Sequence, residues 1–162
     1  MFDRILVTTD GSELSNEALQ TAVDLARPMG SLLIVLHVIP DLSFPNMRKG
    51  VPSGSSGVHH EQQHDAKGIL ENAMEELGYS HAKPLLLEAQ NERVADVIAK
   101  AAHQEQVDLI VMATHGRQGF DKVLLGSVAE RVAHIATPPV MLVRAGQRAH
   151  VQAKRAHSKA AL

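Results

Sequence analysis

Five short apolar runs alternate with helix-period stripes along this chain, and that alternation constrains the fold more than any other feature. Ile5-Leu6-Val7 meets the turn Thr8-Thr9-Asp10-Gly11-Ser12, after which Leu14, Ala18, Ala22 and Leu25 recur at helical spacing, closed by Pro28 and Gly30. Leu32-Leu33-Ile34-Val35-Leu36 is a second run, and a loop rich in Pro, Ser and Gly follows over 40–58, long enough to act as a lid. Ala66, Ile69, Leu70, Ala73, Met74 and Leu77 form the next stripe, ended by Gly78. A third strand fits Pro84–Glu88, and Val94, Val97, Ile98 and Ala101 mark a helix with Asn91 as its N-cap. Leu109–Ala113 is the fourth strand, Val128–Ile135 the fourth helix and Val140–Val143 the fifth strand. Strands that are apolar throughout are buried on both faces. The expected fold class is therefore α/β: an open, doubly wound, five-stranded parallel sheet with about four helices. Ligands of such sheets sit at the carboxyl ends of the strands, where the strand order reverses. Strands 1 and 4 should flank that crevice.

The second informative stretch lies at the end of strand 4. Val107-Asp108-Leu109-Ile110-Val111-Met112-Ala113 stops at Thr114-His115-Gly116, and nine residues separate Gly116 from Gly126-Ser127. Ser127 with Glu130 three residues on, ahead of Val132 and Ile135, reads as a capping box at a helix start. A strand, a glycine-bearing loop and a helix N-terminus aim free N–H groups and a positive dipole end at one spot, which suits a phosphate-bearing ligand. The first strand–helix turn, Thr8 to Ser12, lacks the G-x-G-x-x-G of dinucleotide enzymes, so a dehydrogenase is disfavoured.

Composition removes other classes. At 162 residues the chain is expected to hold one domain with its own core. Aromatic residues are 2% of it, with no Trp and a single Tyr, which weakens any case for single-strand nucleic-acid binding on stacking platforms. The net charge of −2 gives no global pull toward nucleic acid or anionic lipid, and neither is expected as a partner. The longest apolar stretch, Leu32 to Ile39, is far too short to span a bilayer. Met1-Phe2-Asp3-Arg4 runs straight into strand 1 without a basic-then-apolar leader, and the chain has no Cys; both fit a cytoplasmic protein. Arg148, Lys154, Arg155 and Lys159 stand without any acid in 145–162, which is expected to be a flexible basic tail after a domain spanning 1–144.

Three segments carry a resemblance: Ile5-Leu6-Val7-Thr8-Thr9-Asp10-Gly11-Ser12, Leu36-His37-Val38, and Val107 through Arg144 with its ending Thr137-Pro138-Pro139-Val140-Met141-Leu142-Val143. In these the chain resembles the universal stress protein family, of Rossmann-like, adenine-nucleotide alpha-hydrolase-like fold. That family's nucleotide motif is Gly, two residues, Gly, nine residues, then Gly and Ser or Thr. It stands here as Ala113-Thr114-His115-Gly116, Arg117 to Leu125, Gly126-Ser127, with Ala113 in place of the first glycine. Carried over by position, the resemblance implies that Asp10 accepts hydrogen bonds from ribose or adenine and that Thr9 supports its turn. Val38 and Met112 would line the adenine slot, and Gly116, Gly126, Ser127 and Val128 would hold phosphates through backbone N–H groups. His115, Arg117 and Lys122 lie in or beside the nine-residue stretch, where they could reach the same ligand. The positions also have plain structural readings: Asp10 as a helix cap, Met112 as core, His115 as a loop histidine and Ser127 as a cap that leaves other N–H groups available.

His60-Glu61-Gln62-Gln63-His64 matches the H-E-x-x-H pattern of zinc proteases, in a chain with 10 His. The core stripe of that helix runs through Ala66, Ile69 or Leu70, Ala73 and Leu77, whereas His60 and His64 continue the polar stripe of Lys67, Glu71 and Glu75. No third ligand follows at metzincin spacing, and no metal site is expected.

What the resemblance implies is a stress-response regulatory module binding ATP or AMP, with Mg²⁺. It would form a homodimer through the Val140–Val143 strand, placed at a sheet edge after Pro138-Pro139. Slow ATP hydrolysis at the same site is a second reading, with His115 and Asp10 as the nearby candidates for a general base. A dimeric adaptor binding no nucleotide is the third, with Ala113 as its early sign.

Overall fold

The computed structural model describes residues 1–41, 56–114 and 125–144, with residues 56–62 described by backbone alone. Five strands alternate with four helices: β1 (Arg4–Thr8), α1 (Glu13–Met29), β2 (Leu32–Ile39), α2 (Ser56–Glu76), β3 (Ala82–Glu88), α3 (Val94–Gln104), β4 (Leu109–Ala113), α4 (Ser127–Ile135) and β5 (Val140–Val143). The strands form one parallel sheet in the order β3-β2-β1-β4-β5. The order reverses at β1, whose neighbours are β2 and β4, so the switch point falls where the alternation of runs and stripes places it.

Successive side chains of a strand leave on opposite faces, and here both faces are covered. Ile5, Val7, Leu33, Val35, Leu109 and Val111 pack against Ala18, Ala22 and Ala26 of α1 and against Leu70 and Ala73 of α2. Leu6, Ile34, Leu36, Ile110 and Met112 face the other way, onto Ile98, Ala101 and Ala102 of α3 and Ala129 and Val132 of α4. This two-sided burial is why the strands read as unbroken apolar runs. Small alanines on the helices let them lie close to a sheet of branched side chains. Among the described residues no helix is long and apolar enough to cross a membrane.

Boundaries differ from expectation in instructive places. β2 continues through His37 to Ile39, all buried. β3 begins at Ala82, and Pro84 sits inside it opposite Val35. β3 is an edge strand, where a missing N–H costs no ladder bond if it faces outward. α1 runs past Pro28 to Met29 and ends at Gly30, whose φ of 68° is the left-handed conformation that glycine adopts freely. Residues 56–58, expected in the loop, open α2; the rest of that loop falls largely outside the described residues, as does the 145–162 tail. Ala66, Leu70, Ala73 and Leu77 are buried while His64, Lys67, Glu71 and Glu75 are exposed, so His64 does lie on the polar stripe. The side chains of His60 and Glu61 lie outside the described residues.

Candidate functional site

The turn after β1 is built by short polar side chains that hold one another. Ser12 is the N-cap of α1, with φ −78° and ψ 158°, and its hydroxyl accepts from the Ser15 N–H at 3.2 Å. Asp10 is therefore not the cap. Its Oδ1 instead accepts from the Ser12 N–H at 3.0 Å and the Ser12 hydroxyl at 2.6 Å, an Asx turn that sets the carboxylate beside the helix start. Thr9 is 5% exposed; its hydroxyl lies 3.2 Å from that of Ser15 and accepts from the Gly11 N–H at 3.2 Å. Gly11 takes φ 77°, which the tight turn requires. The neighbouring strand completes the support: Thr9 N–H donates to the Leu36 carbonyl at 2.9 Å, and His37 Nδ1 lies 2.7 Å from the Thr9 carbonyl.

Across the crevice, β4 ends in Met112 and Ala113, Thr114 follows, and α4 begins at Ser127. Two expectations change here. The N-cap of α4 is Gly126, with no side-chain cap bond, and Ser127 is the first helical residue, so the Ser127–Glu130 capping box does not form. Gly126 N–H donates to the Thr114 carbonyl at 2.8 Å, which ties the helix start to the end of β4 and removes that N–H from any phosphate cradle in this geometry. The N–H groups of Ser127, Val128 and Ala129 have no partner among the described residues and sit at the positive end of the helix. Asn91 likewise is not the α3 cap; Arg93 is, while Asn91 takes φ 55° and gives its N–H to Asp41 Oδ2 at 2.9 Å. Arg131 of α4 donates from Nε (3.0 Å) and Nη2 (2.8 Å) to Asp96 Oδ1 of α3, clasping the two helices beside the crevice.

These pieces enclose a cavity of about 430 Å³, within the range of small-molecule sites. Thr9 and Asp10 line it from the β1 turn, Val38 from β2, Met112 and Ala113 from β4, and Gly126, Ser127 and Val128 from the start of α4. The chain pattern thus brings together eight of the eleven residues expected there. His115, Gly116 and Arg117, the other three, lie outside the described residues, as does Lys122. Sequence reasoning missed Val94 and Ile98, which line the cavity from α3, and gave no role to His37, Ser15 and Thr114. Only His37 had a signal, a polar residue inside an apolar run. Val94 and Ile98 looked like ordinary core positions because helix packing, not motif, puts them there.

One wall of the cavity is apolar (Val38, Val94, Ile98, Met112) and the other carries a carboxylate, hydroxyls and helix N–H groups. That division suits a flat heterocycle bearing a polar, anionic end.

Comparisons with known proteins agree with this geometry. Residues 1–144 match the model of the universal stress protein family. The chain is 30% identical to universal stress protein YxiE of Bacillus subtilis, over 89% of this chain and all of that protein. The solved structure of MJ0577, a universal stress protein of Methanocaldococcus jannaschii, superposes with a TM-score of 0.73 at 28% identity, covering 89% of this chain and 96% of that one. A universal stress protein of Archaeoglobus fulgidus in complex with dAMP superposes with a TM-score of 0.62 at 24% identity, over 86% and 96% of the two chains, a likeness of fold. With the sheet order, the two-walled crevice and a family match from Met1 to Arg144, the chain belongs to the universal stress protein family.

Proposed function

We propose that this protein is an adenine-nucleotide-binding regulatory module of the stress response, taking ATP or AMP in the crevice between β1 and β4. The observation that carries the reading is the two-walled cavity at the switch point. Its apolar side, Val38, Met112, Val94 and Ile98, would hold the base; Asp10 would accept from ribose hydroxyls or the base amino group; the N–H groups of Ser127, Val128 and Ala129 would face the phosphates. Mg²⁺ would enter with the phosphates as their counter-ion. The dAMP complex of the Archaeoglobus fulgidus protein supports the ligand class without fixing it for this chain. We place the function in the domain of residues 1–144, in the cytoplasm, with a homodimer formed through β5. Turnover of ATP is expected to be slow at most, since Asp10 Oδ1 is already engaged by Ser12.

The test is mass spectrometry on the denatured extract of freshly purified protein, followed by calorimetric titration of ATP and AMP into the emptied chain and into Gly126→Val. Gly126 has φ −62° and ψ 145°, which valine also adopts, so this variant acts by bulk at the cavity wall rather than by backbone strain. Micromolar binding that Gly126→Val abolishes supports the reading. A pocket empty at millimolar nucleotide overturns it in favour of a nucleotide-free dimeric adaptor.

A further inference from the structure

His37 stands within a parallel sheet, 8% exposed, on a strand otherwise made of Leu, Ile and Val. A ring with two polar nitrogens is costly there unless something uses it. The main chain of the adjoining turn uses it, through Nδ1 at 2.7 Å from the Thr9 carbonyl oxygen. A carbonyl oxygen only accepts, so Nδ1 carries the proton and donates. Thr9 N–H is held by the Leu36 carbonyl at 2.9 Å. Consecutive residues of β2 therefore pin Thr9 on both sides, Leu36 by its backbone and His37 by its ring. The Thr9 carbonyl belongs to the same planar peptide unit as the Asp10 nitrogen. Fixing that oxygen fixes the plane from which Asp10 departs.

We propose that His37 is the positioning residue of the nucleotide site: by holding the Thr9–Asp10 peptide plane, it sets where the Asp10 carboxylate meets the ligand. The inference rests on the nucleotide reading above. It assigns His37 no contact with the nucleotide; its effect passes through Asp10. Asparagine can bring an amide N–H to roughly the place of the ring Nδ1–H, since each nitrogen is bonded to Cγ. Phenylalanine keeps the ring and lacks the donor, leaving a buried carbonyl unsatisfied.

Two measurements on the full chain test this. In the first, without ligand, amide hydrogen exchange is followed at Gly11 and Ser12, whose N–H groups donate to Thr9 Oγ1 and Asp10 Oδ1. Their exchange should quicken by roughly tenfold in His37→Phe, the loss of one buried hydrogen bond, and stay near wild type in His37→Asn. Unchanged exchange in His37→Phe overturns the proposal, whether or not nucleotide binds. If His37→Phe does not fold, His37→Leu takes its place. In the second, ATP is titrated into wild type, His37→Asn, His37→Phe, Asp10→Ala and the double variant that combines His37→Phe with Asp10→Ala. His37→Phe should weaken ATP by about tenfold with Asp10 present and by nothing further in the Asp10→Ala background, while His37→Asn keeps wild-type affinity. Fully additive losses, or no rescue by asparagine, overturn it. A wild type that binds no nucleotide sinks the nucleotide reading instead, and the exchange result still decides whether His37 holds the turn.

Discussion

Ala113 occupies the place where the family's motif has its first glycine, and its backbone and packing bear on what that exchange means. Ala113 lies in regular β4, opposite Val143, and is not among the positive-φ residues, so no conformational privilege of glycine is needed there. Its methyl packs against the cluster under α1 and α2, whereas Met112 and Val38 belong to the cluster on the other face. The sheet's share of the cavity's apolar wall, Val38 and Met112, thus leaves the sheet opposite to the Ala113 methyl. Ala113→Gly should change nucleotide affinity by no more than about threefold, while costing roughly 0.5–1 kcal/mol of stability from glycine in a strand. Titration and urea unfolding of the two proteins check both halves; a gain of affinity well beyond that margin would place the methyl in the ligand's path. Single residues at this site were legible only in part. Asp10, Val38 and Met112 could be placed because the resemblance carries a role onto each of those positions, and the structure sets all three on the cavity at the switch point. Val94 and Ile98 could not, because nothing in an amphipathic stripe says which of its core residues will border a cavity.

Elements were legible in kind, and their ends were not. Stripes and runs gave every helix and strand, yet neither Ser127 nor Asn91 is the cap that its local sequence predicts. A capping preference is local, and at these ends a tertiary bond decides: Gly126 N–H is drawn to the Thr114 carbonyl, and Asn91 N–H to Asp41. Where the cap bond is local, as at α1, Ser12 accepts from the Ser15 N–H and Asp10 in turn holds Ser12. Ser12→Ala removes the cap acceptor and the hydroxyl that donates to Asp10 Oδ1, and should destabilise the fold by about 1 kcal/mol in urea unfolding. Ser12→Gly loses the same hydroxyl with a smaller penalty, on the order of a few tenths of a kcal/mol, if helix capping alone matters. Equal losses in the two variants would show that the bond to Asp10, not the cap, carries most of the effect.

At the scale of the molecule, the doubly wound order follows from strands apolar on both faces, and the same order leaves β5 as an outer strand with β4 as its partner among the described residues. Ile110 N–H donates to the Pro139 carbonyl and Thr114 N–H to that of Val143, so positions 139 and 143 turn their main-chain groups toward β4. By the alternation of a strand, Val140 and Leu142 turn theirs away from the sheet. Met141 is 36% exposed on this strand and Ile135, on α4, is 39% exposed. An outer strand with outward N–H and C=O groups and apolar side chains is a template for a second copy of itself, related by a two-fold axis and therefore antiparallel. Two variants separate pairing from simple stickiness. Leu142→Pro deletes one outward N–H without deleting a bond to β4, and Met141→Lys places a charge on the strand while leaving every main-chain group in place. Sedimentation equilibrium should show a wild-type dimer, and both variants should shift toward monomer by at least about tenfold in dissociation constant while keeping the wild-type circular dichroism. Dimers that survive both changes would place the interface elsewhere, and a wild type monomeric at all concentrations would remove the homodimer from the proposed function while leaving the proposed nucleotide site, whose described lining comes from a single chain, untouched.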